Sequence, residues 1–338
     1  MENKQILFTA PGKAELIETA VPTPQAGQVV VRLARSTISS GTERANLTGD
    51  ANVSPTGAPG AVQFPRYPGY SSAGVVEAVG PGVTRVTAGD RVALSWSVHS
   101  YYTCVGEENV HPLPDNVGFE EGALVHIATF PLAAIRKCGL ELGESAIVMG
   151  VGVLGMVAIK LLRQAGAVPI IAADPDEKKR ALALTLGADY ALDPLAPNFA
   201  EEAKRLSNGG LHVAIEVTGV GAALDQVLDC MRRFGRVALL GCTRHSDFTI
   251  DYYRKVHFPG ISLIGAHTCA RPDRESSRGL WTTHDDAMAL LRMIAGGRLS
   301  LASLVSETHK PEEAPAVYTR LATEKTFPVI QYDWSEMK

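Results

Sequence analysis

The sequence has few cysteines and no closely spaced cysteine pair. Its five cysteines are Cys104, Cys138, Cys230, Cys242 and Cys269 in a chain of 338 residues. This spacing argues against a disulfide framework and against a cysteine-rich zinc lobe. No uninterrupted apolar run approaches the roughly 20 residues of a membrane span, and the first residues do not resemble a secretory signal. We therefore expect a cytoplasmic protein that does not bind membranes.

The sequence also lacks a large excess of either charge. It has 32 Lys and Arg against 36 Asp and Glu, which gives a formal net charge of -4. That balance offers no general attraction to nucleic acid. Hydrophobic residues make up 46% of the chain, as in folded globular proteins, and the length suffices for two domains with separate cores. We expect a two-domain enzyme that acts on a small molecule.

Two patterns of hydrophobic residues divide the chain. Up to about Pro114, short apolar runs separated by Gly and Pro predict an antiparallel β region. From about Glu120, helical periods alternate with short apolar strands, which predicts parallel βαβ units in a doubly wound sheet. Strands are predicted at 146–149, 169–173, 213–217, 236–240 and 261–264. Helices are predicted at 154–165, 176–186, 222–232 and 283–296.

A glycine-rich turn lies between the first of these strands and the first of these helices. Its sequence is Gly150-Val151-Gly152-Val153-Leu154-Gly155. In such a G-x-G-x-x-G turn the first glycine allows a tight bend, the second lets a pyrophosphate approach the backbone, and the third lets helix and strand pack closely. Val153 and Leu154 open the helix whose N-terminus faces the phosphates. The sequence therefore predicts a dinucleotide site.

An acidic residue, Asp174, follows the second predicted strand. A carboxylate at this position accepts hydrogen bonds from the adenosine ribose and repels a 2′-phosphate, which favours NAD over NADP. Lys179 and Arg180 follow closely and are cations that could instead accommodate a phosphate. We predict that the cofactor is NAD.

Five further motifs match the pattern of a known family. They are Pro68-Gly69-Tyr70-Ser71-Ser72-Ala73-Gly74-Val75-Val76, Val79-Gly80, Gly89-Asp90-Arg91-Val92, Leu186-Gly187-Ala188-Asp189 and Glu216-Val217-Thr218-Gly219. In these motifs the chain resembles the medium-chain dehydrogenase/reductase superfamily, which includes the zinc alcohol and polyol dehydrogenases. The resemblance implies a GroES-like antiparallel β domain of residues 1–122 and 268–338, a Rossmann domain of residues 123–267, and an active-site cleft between them. It also implies a homodimer or homotetramer.

Further residues are predicted to belong to the cofactor site. They are Thr218, which lies in the Glu216-Val217-Thr218-Gly219 motif, Gly241, and Lys179 close to Asp174. His267, just past the last predicted Rossmann strand, is a candidate for lining the nicotinamide pocket. Its alternative is a solvent-facing or interface role.

The positions that resemble the family's zinc ligands carry other residues. Ser40-Gly41-Thr42-Glu43 stands where the zinc enzymes have a C-G-T-D type stretch, and Gly69-Tyr70-Ser71 stands where they have G-H-E. His126 stands at the remaining ligand position. One imidazole, a serine and a phenol do not form the three-ligand tetrahedral site of catalytic zinc. The sequence predicts no metal, and therefore a zinc-less branch of the family.

Without zinc, hydroxyl and imidazole groups must stabilise the reacting oxygen. Tyr70 is the candidate that polarises a carbonyl or takes the hydroxyl proton, and His126 is its proton-transfer partner. Ser40 and Thr42 are candidate hydrogen-bond partners or relays. The alternatives are that Tyr70 fills the volume of the missing metal and that His126 is a buried histidine capping a helix turn.

Two other groups of residues are candidates for substrate contacts. Trp96 and Trp281 are candidate walls of the substrate site, although most tryptophans pack in cores. Arg271, Arg274 and Arg278 occur within eight positions. They form either a solvated loop or a site for an anionic group.

These observations predict a zinc-independent oxidoreductase that moves a hydride between NAD(H) and a small secondary alcohol or carbonyl. A sugar, a cyclitol and another polyol are the candidate substrates. Two alternatives stay open: an NADPH-dependent quinone or enoyl reductase, and a non-enzymatic protein that binds a dinucleotide. Asp174 favours the first reading over the reductase. Cofactor binding without any turnover would favour the non-enzymatic protein.

Overall fold

The structure is a computed structural model that describes residues 2–50, 52–53, 62–246 and 248–337. The chain divides into two compact units, one spanning Met1–Ile127 and Ala287–Lys338 and the other Ala128–Asp286. The domain boundaries predicted from the sequence were 122/123 and 267/268. In the structure, residues 268–286 therefore belong to the same compact unit as the central part of the chain.

The regular elements follow one another in a simple order. The first are β1 (Glu2–Ala10), β2 (Lys13–Ala20), β3 (Gln28–Thr37), α1 (Ser40–Thr48), β4 (Ser71–Val79), β5 (Arg91–Ser95), β6 (Tyr102–Gly106), β7 (Val110–Pro112), α2 (Phe119–Gly122) and α3 (Val125–Lys137). The central ones are β8 (Ala146–Met149), α4 (Val153–Gln164), β9 (Ile170–Ala173), α5 (Glu177–Thr185), β10 (Tyr190–Leu192), α6 (Phe199–Leu206), β11 (Leu211–Glu216), α7 (Gly221–Cys230), β12 (Met231–Leu239) and β13 (Ser262–Gly265). The last are α8 (Thr283–Ala295), β14 (Glu307–His309), α9 (Ala314–Thr323) and β15 (Ile330–Asp333).

The first unit, called here the β unit, consists mainly of antiparallel strands. β1 and β2 form a hairpin, and a larger sheet has the order β14-β15-β3-β4-β5-β7 with β6 also paired to β3. Only the β14–β15 pair of this sheet is parallel among the described strand pairs. Apolar residues of β1, β3 and the C-terminal segment share one core, which includes Phe8, Leu33 and Trp334. The predicted antiparallel β region is confirmed.

The second unit, called here the Rossmann unit, contains a six-stranded parallel sheet. Its strand order is β10-β9-β8-β11-β12-β13. Numbered within the unit this is 3-2-1-4-5-6, the order of a doubly wound dinucleotide-binding sheet, and ligands of such sheets bind at the carboxyl ends of the strands. β8 and β9 are buried at every residue, as expected for central parallel strands. The predicted doubly wound sheet is confirmed.

The predicted elements of the Rossmann unit differ from the observed ones mainly at their ends. The helix predicted over 222–232 ends at Cys230, because the next residue, Met231, pairs with Leu211 in the sheet. Two short elements, β10 and α6, were not predicted. None of the helices in the described ranges is both long and apolar enough to cross a membrane.

Candidate active and cofactor sites

The three glycines of the glycine-rich turn meet different constraints. Gly150 has a φ of +101°, a backbone conformation that other residues rarely adopt. A Cβ on Gly155 would lie 1.9 Å from the carbonyl oxygen of Gly150, so helix and turn pack too closely for any side chain. Gly152 has an ordinary φ of -83° as the N-cap of α4, and no atom of the described residues, apart from its two chain neighbours, lies within 4 Å of a Cβ built there. The second glycine therefore keeps a space open before the helix N-terminus, and a pyrophosphate fits such a space.

Asp174 is fixed against this turn. One carboxylate oxygen, Oδ2, accepts a hydrogen bond from the backbone N–H of Val151 at 2.8 Å, and Oδ1 accepts one from the backbone N–H of Asp176 at 2.9 Å. The residue is only 6% exposed. The Lys179 ammonium lies 3.9 Å from Oδ2. Asp174 thus brings a fixed carboxylate to the glycine-rich turn, as a ribose-binding acid requires.

The Arg180 guanidinium is held by the backbone that follows β9. Its Nη1 donates to the carbonyl oxygens of Asp174 and Pro175, each at 2.9 Å. A second acid, Asp193, lies 3.9 Å from the same nitrogen. Of the two cations near Asp174, Lys179 is therefore the one that approaches its carboxylate.

The turns after β11 and β12 pack on each other around Glu216. This buried carboxylate accepts hydrogen bonds from the backbone N–H of Thr218 at 2.7 Å, from the Thr218 hydroxyl, and from the backbone N–H of Gly219. Burial raises the pKa of Glu216, and the hydrogen bonds from Thr218 oppose that rise. Gly241 N–H donates to the Glu216 carbonyl at 2.8 Å. A Cβ on Gly241 would lie 2.2 Å from the nitrogen of Gly219.

These turns border a cavity of about 390 Å³ at the carboxyl edge of the sheet. Its lining residues are Thr218, Gly219, Val220, Gly221, Ala222, Cys242, Arg244, His245 and Phe248. Thr218, predicted to bind the cofactor, therefore lines a cavity on the edge of the sheet where ligands of this fold bind. Gly241 lies in the turn directly beside it.

His267 follows β13 at the same edge of the sheet. Its Nδ1 accepts a hydrogen bond from the backbone N–H of Cys269 at 3.2 Å. Burial, followed by the charges of Arg244 and Lys137, lowers the pKa of His267. The lowered pKa favours the neutral imidazole, and because Nδ1 accepts this hydrogen bond, the proton of that form lies on Nε2.

In the β unit, Tyr70 directly precedes β4, and its position depends on Gly69. Gly69 has a φ of +94°, and a Cβ there would lie 2.8 Å from the backbone nitrogen of His99. The Tyr70 phenol donates a hydrogen bond to Ser39 Oγ, and its carbonyl oxygen accepts one from the backbone N–H of Trp96 at 2.8 Å. Tyr70 is therefore held at both its backbone and its hydroxyl.

Three aromatic side chains meet around this phenol. The His126 ring centroid lies 5.6 Å from that of Tyr70 and 4.8 Å from that of Trp96, and both contacts are edge-to-face. His126 is 1% exposed, whereas Trp96 is 46% exposed. Trp96 also has a φ of +57°, a rare conformation for a bulky residue and one often found at functional sites. The structure thus brings together Tyr70 and His126, as predicted, with Trp96 at the exposed side.

The hydroxyl that receives the Tyr70 hydrogen bond belongs to Ser39, the residue before the predicted Ser40. Ser39 is the N-cap of α1 and is buried, whereas Ser40 and Thr42 lie in the first turn of the helix and are half-buried. The carbonyl oxygen of Thr42 accepts a hydrogen bond from Asn46 Nδ2 at 2.9 Å. The preference for serine at helix N-caps was the signal that could have identified Ser39.

Glu43, which sequence analysis did not single out as a site residue, supports Ser39 from the interior. Its Oε1 accepts the backbone N–H of Ser39 at 2.8 Å, and its Oε2 accepts the Tyr318 hydroxyl and lies 3.1 Å from His99 Nε2. Glu43 is almost completely buried. Burial, together with the Glu43 charge, raises the pKa of Tyr318 well above its usual value, which keeps the phenol a donor.

A chain of buried hydrogen bonds continues from His99. Its Nδ1 lies 2.7 Å from Ser36 Oγ, which accepts a hydrogen bond from Trp334 Nε1 at 2.8 Å. The indole can only donate, so the serine hydrogen is free to point to Nδ1 and the Nε2–H of His99 to Glu43. The donors of this chain all point towards the Glu43 carboxylate.

The donor set around Tyr70 does not fit the zinc ion of the family. Ser71, at the third position of the Gly69-Tyr70-Ser71 motif, donates its hydroxyl to the carbonyl oxygen of Ala123 at 2.7 Å. Over the described ranges, no three His, Cys, Asp or Glu side chains are grouped as a metal site requires. A phenol, a serine hydroxyl and one imidazole differ from the donors that zinc selects.

Comparison with known proteins agrees with this two-unit architecture. The model of the alcohol dehydrogenase GroES-like domain matches residues 25–140, and that of the zinc-binding dehydrogenases matches residues 153–282. L-threonine 3-dehydrogenase of Pyrococcus horikoshii is 27% identical, with 90% of this chain and 91% of that protein covered. D-guloside 3-dehydrogenase of Escherichia coli K12 is 24% identical, covering 93% and 95%. The crystal structure of benzyl alcohol dehydrogenase from Acinetobacter calcoaceticus matches with a TM-score of 0.85 at 19% identity, covering 98% and 99%.

The matched family models and the relatives are those of oxidoreductases with a GroES-like β domain and a Rossmann domain. The chain is an alcohol dehydrogenase-like protein of the medium-chain dehydrogenase/reductase superfamily. The predicted fold class and superfamily are thus confirmed. Its place in a zinc-less branch stays a prediction, because the matched Rossmann model is that of zinc-binding dehydrogenases.

Proposed function

We propose that this protein is a zinc-independent oxidoreductase that transfers a hydride between NAD(H) and a small secondary alcohol or carbonyl compound. The observation that carries the proposal is the hydrogen bond from Tyr70 to Ser39, next to the His126 ring. Tyr70 and His126 stand at positions that resemble zinc-ligand positions of the family, and Ser39 directly precedes the third such position, Ser40. The homodimer or homotetramer expected from the sequence stays a prediction.

Tyr70 and Ser39 supply the hydrogen bonds that the reaction needs. The nicotinamide, when bound, accepts or donates the hydride. A substrate oxygen that gains negative charge requires a donor, and the Tyr70 O–H turns to it while the Ser39 O–H donates to the phenol oxygen. This pair replaces the Lewis acid of the zinc enzymes by hydrogen bonding. His126 packs edge-on against Tyr70 and is the imidazole partner for proton transfer in this proposal.

Asp174 supports NAD as the cofactor. Its two backbone hydrogen bonds fix the carboxylate beside the glycine-rich turn. A 2′-phosphate next to this carboxylate would be repelled, whereas ribose hydroxyls can donate to it. Lys179, 3.9 Å from the carboxylate, offsets part of that repulsion.

A small hydroxylated substrate is supported by two observations. The relatives are named for L-threonine, D-guloside and, in Bacillus subtilis, (R,R)-butanediol, all of which carry hydroxyl groups. The exposed indole of Trp96 presents a flat apolar surface beside Tyr70. Such a surface packs on the C–H face of a sugar or polyol.

The proposal is tested by assaying the purified protein for NADH formation with panels of polyols and sugar derivatives. We expect turnover with NAD, no stoichiometric zinc by elemental analysis, and no loss of activity with a chelator. One tightly bound zinc per chain would contradict zinc independence. Turnover of quinones or enones with NADPH alone would instead show the reductase, and cofactor binding without turnover on any panel would show a non-enzymatic protein.

The role of Tyr70 is tested by removing its hydroxyl. Tyr70→Phe is expected to lower turnover by roughly 10²-fold, the scale for losing a proton donor to the reacting oxygen. Cofactor affinity is expected to stay unchanged. Tyr67→Phe is the matched control, because Tyr67 is an exposed tyrosine three positions earlier. Unchanged turnover in Tyr70→Phe would show that the Tyr70 hydroxyl takes no part in the reaction and that the ring only packs.

A further inference from the structure

The three arginines between β13 and α8 have three different environments. The Arg271 side chain is 6% exposed, lies 3.4 Å from Asp286 Oδ2 and donates to the carbonyl oxygen of Thr129 at 3.1 Å. Arg274 is exposed on the surface. Arg278 is also exposed but lines a cavity. The arginine-rich segment is therefore neither a uniform solvated loop nor a single cationic cluster.

The cavity beside Arg278 has a basic lining. Its volume is about 320 Å³, and it is lined by Lys137, Ile264, Gly265, Arg278, Gly279 and Leu280. These described lining residues include two cations and no carboxylate. All of them belong to the Rossmann unit, and none belongs to the glycine-rich turn. We call this space the Lys137–Arg278 cavity.

Both cations keep donors for a ligand. Lys137 Nζ donates one hydrogen bond, to the carbonyl oxygen of Gly265 at 2.9 Å, which fixes the amine at the cavity and leaves two N–H groups. Within the described part of the chain, the Arg278 guanidinium forms no hydrogen bond or ion pair with another residue, so its five N–H donors are available. A lysine held by the backbone and an unpaired guanidinium therefore line the same cavity.

Next to the segment that carries Arg278, one carboxylate is shared by two arginines. The buried carboxylate of Asp286 is shared by two guanidinium groups, that of Arg136 at 2.8 Å and that of Arg271 at 3.4 Å. Burial and the charge of Arg271 lower the pKa of Lys137. A negative group near Lys137 would oppose this lowering of the pKa, because it would stabilise the charged amine.

We propose that the Lys137–Arg278 cavity binds the oxyanion group of a small molecule, either a phosphoryl group or a carboxylate. Its volume is that of a small-molecule site. A guanidinium fork and a lysine point charge are the groups that bind such oxyanions. The cavity also lies beside Gly265, the last residue of β13, and ligands of open parallel sheets bind at the carboxyl ends of the strands.

Binding of inorganic phosphate and of acetate tests the proposal. Each anion is titrated by calorimetry at constant ionic strength, with saturating dinucleotide present so that the phosphate-binding turn of the cofactor site is occupied. We expect phosphate, acetate or both to bind the dinucleotide-loaded protein. The preferred anion distinguishes a phosphoryl site from a carboxylate site. The proposal would be overturned if neither anion bound, or if the anions bound the free protein but not the dinucleotide-loaded protein.

Three variants locate the bound anion. Arg278→Gln and Lys137→Gln are expected to weaken its affinity at least tenfold. Arg274→Gln is the matched control, because it removes the same charge from the same segment without lining the cavity, and its affinity should stay unchanged. Arg278 is exposed, so Arg278→Gln preserves the fold even if loss of the Gly265 contact destabilises Lys137→Gln. Wild-type affinity in Arg278→Gln, or equal weakening in Arg274→Gln, would show that the anion binds elsewhere.

The readout does not depend on turnover. A protein that binds the anion but oxidises no alcohol would retain this site and lose the proposed function. A protein that oxidises an alcohol but binds no anion would retain the proposed function and lack this anion site. The two proposals therefore fail separately.

Discussion

The backbone N–H of Ser39 donates to Glu43 Oε1 at 2.8 Å, while the Ser39 hydroxyl oxygen accepts the phenol of Tyr70. One residue thus joins a buried carboxylate to the proposed proton donor. Glu43 is fixed in turn by Tyr318 and His99. Glu43 is therefore placed as a positioning residue that acts on Tyr70 through Ser39.

Replacing this carboxylate with an amide tests its positioning role. In Glu43→Gln, the amide NH2 takes the place of the Oε2 acceptor and faces two hydrogen-bond donors, the Tyr318 hydroxyl and His99 Nε2. The side chain must therefore move, and its contact with the Ser39 N–H moves with it. We expect turnover to fall about tenfold or more with unchanged cofactor affinity, because a proton donor loses its alignment. The measurements are kcat, KM and the pH profile of kcat, with circular dichroism to confirm folding.

Tyr318→Phe is the matched control for Glu43→Gln. It removes a donor from the same buried carboxylate but leaves the Ser39 contact intact, so it should cost about 1–3 kcal/mol of unfolding free energy. Its turnover should change little. If the two variants lowered turnover equally, Glu43 would have only a structural role.

We predict that alanine substitutions at two glycines of the glycine-rich turn affect different properties, one the stability of the fold and the other dinucleotide binding. Gly155→Ala should destabilise the protein, because its Cβ would lie 1.9 Å from the Gly150 carbonyl oxygen. Gly152→Ala should leave the unfolding temperature nearly unchanged, since its φ suits alanine and, in the part of the chain that the structure describes, only its chain neighbours lie within 4 Å of the added Cβ. It should instead weaken dinucleotide binding at least tenfold by filling the space for the pyrophosphate. Unchanged dinucleotide affinity in folded Gly152→Ala would place the phosphates elsewhere.

Cofactor preference is predicted to depend on the charge of Asp174. Asp174→Asn keeps the size of the side chain but removes the charge that repels a 2′-phosphate. Two unit charges about 4 Å apart interact by about 4 kcal/mol at the effective dielectric constant of a protein surface. We therefore expect the ratio of the NADP to the NAD dissociation constant to fall at least tenfold, as measured by fluorescence titration.

Lys179→Gln is expected to have the opposite effect. It removes the ammonium 3.9 Å from the Asp174 carboxylate, so NADP should bind less well relative to NAD. The same change of preference in both variants would contradict this electrostatic account.

Much of the fold was predictable because local sequence determines it. β8 was predicted at its observed residues, since a short apolar run before a glycine-rich turn has few alternatives. β10 was missed because it is only three residues long and begins with the exposed Tyr190. Its position depends on pairing with β9 rather than on its own residues.

The two candidate sites differed in how far sequence could predict them. The turn from Gly150 to Gly155 and Asp174 combine backbone shape with residues close in sequence. The group around Tyr70 depends on contacts between distant segments: Glu43 meets His99 across 56 positions and Tyr318 across 275. No local pattern encodes such contacts, so Glu43 emerged only from the structure. The N-cap preference could have pointed to Ser39 itself but not to its contact with Tyr70.

The pH dependence of stability is predicted to include a contribution from Glu307. Both of its carboxylate oxygens receive the Arg320 guanidinium, at 2.8 and 3.2 Å, and His309 Nε2 lies 2.9 Å away. The hydrogen bonds from Arg320 and then His309 lower the pKa of Glu307 from 4.5 to about 2. A carboxyl group whose pKa is lower in the folded state stabilises the fold above its unfolded pKa, and this contribution is lost as the pH falls from 4.5 towards 2.

Glu307→Gln should therefore lower the free energy of unfolding at pH 7 and progressively less below pH 4.5. Because the Glu307 side chain is 33% exposed, solvent screening limits the expected loss at pH 7 to about 1 kcal/mol. Urea midpoints of wild type and variant at pH 7, 4 and 3 measure the narrowing of this gap. Glu336→Gln is the control, because the Lys310–Glu336 pair is largely exposed and should contribute little. A gap for Glu307→Gln that stayed constant from pH 7 to pH 3 would mean that the side chain stabilises the fold by packing rather than by its charge.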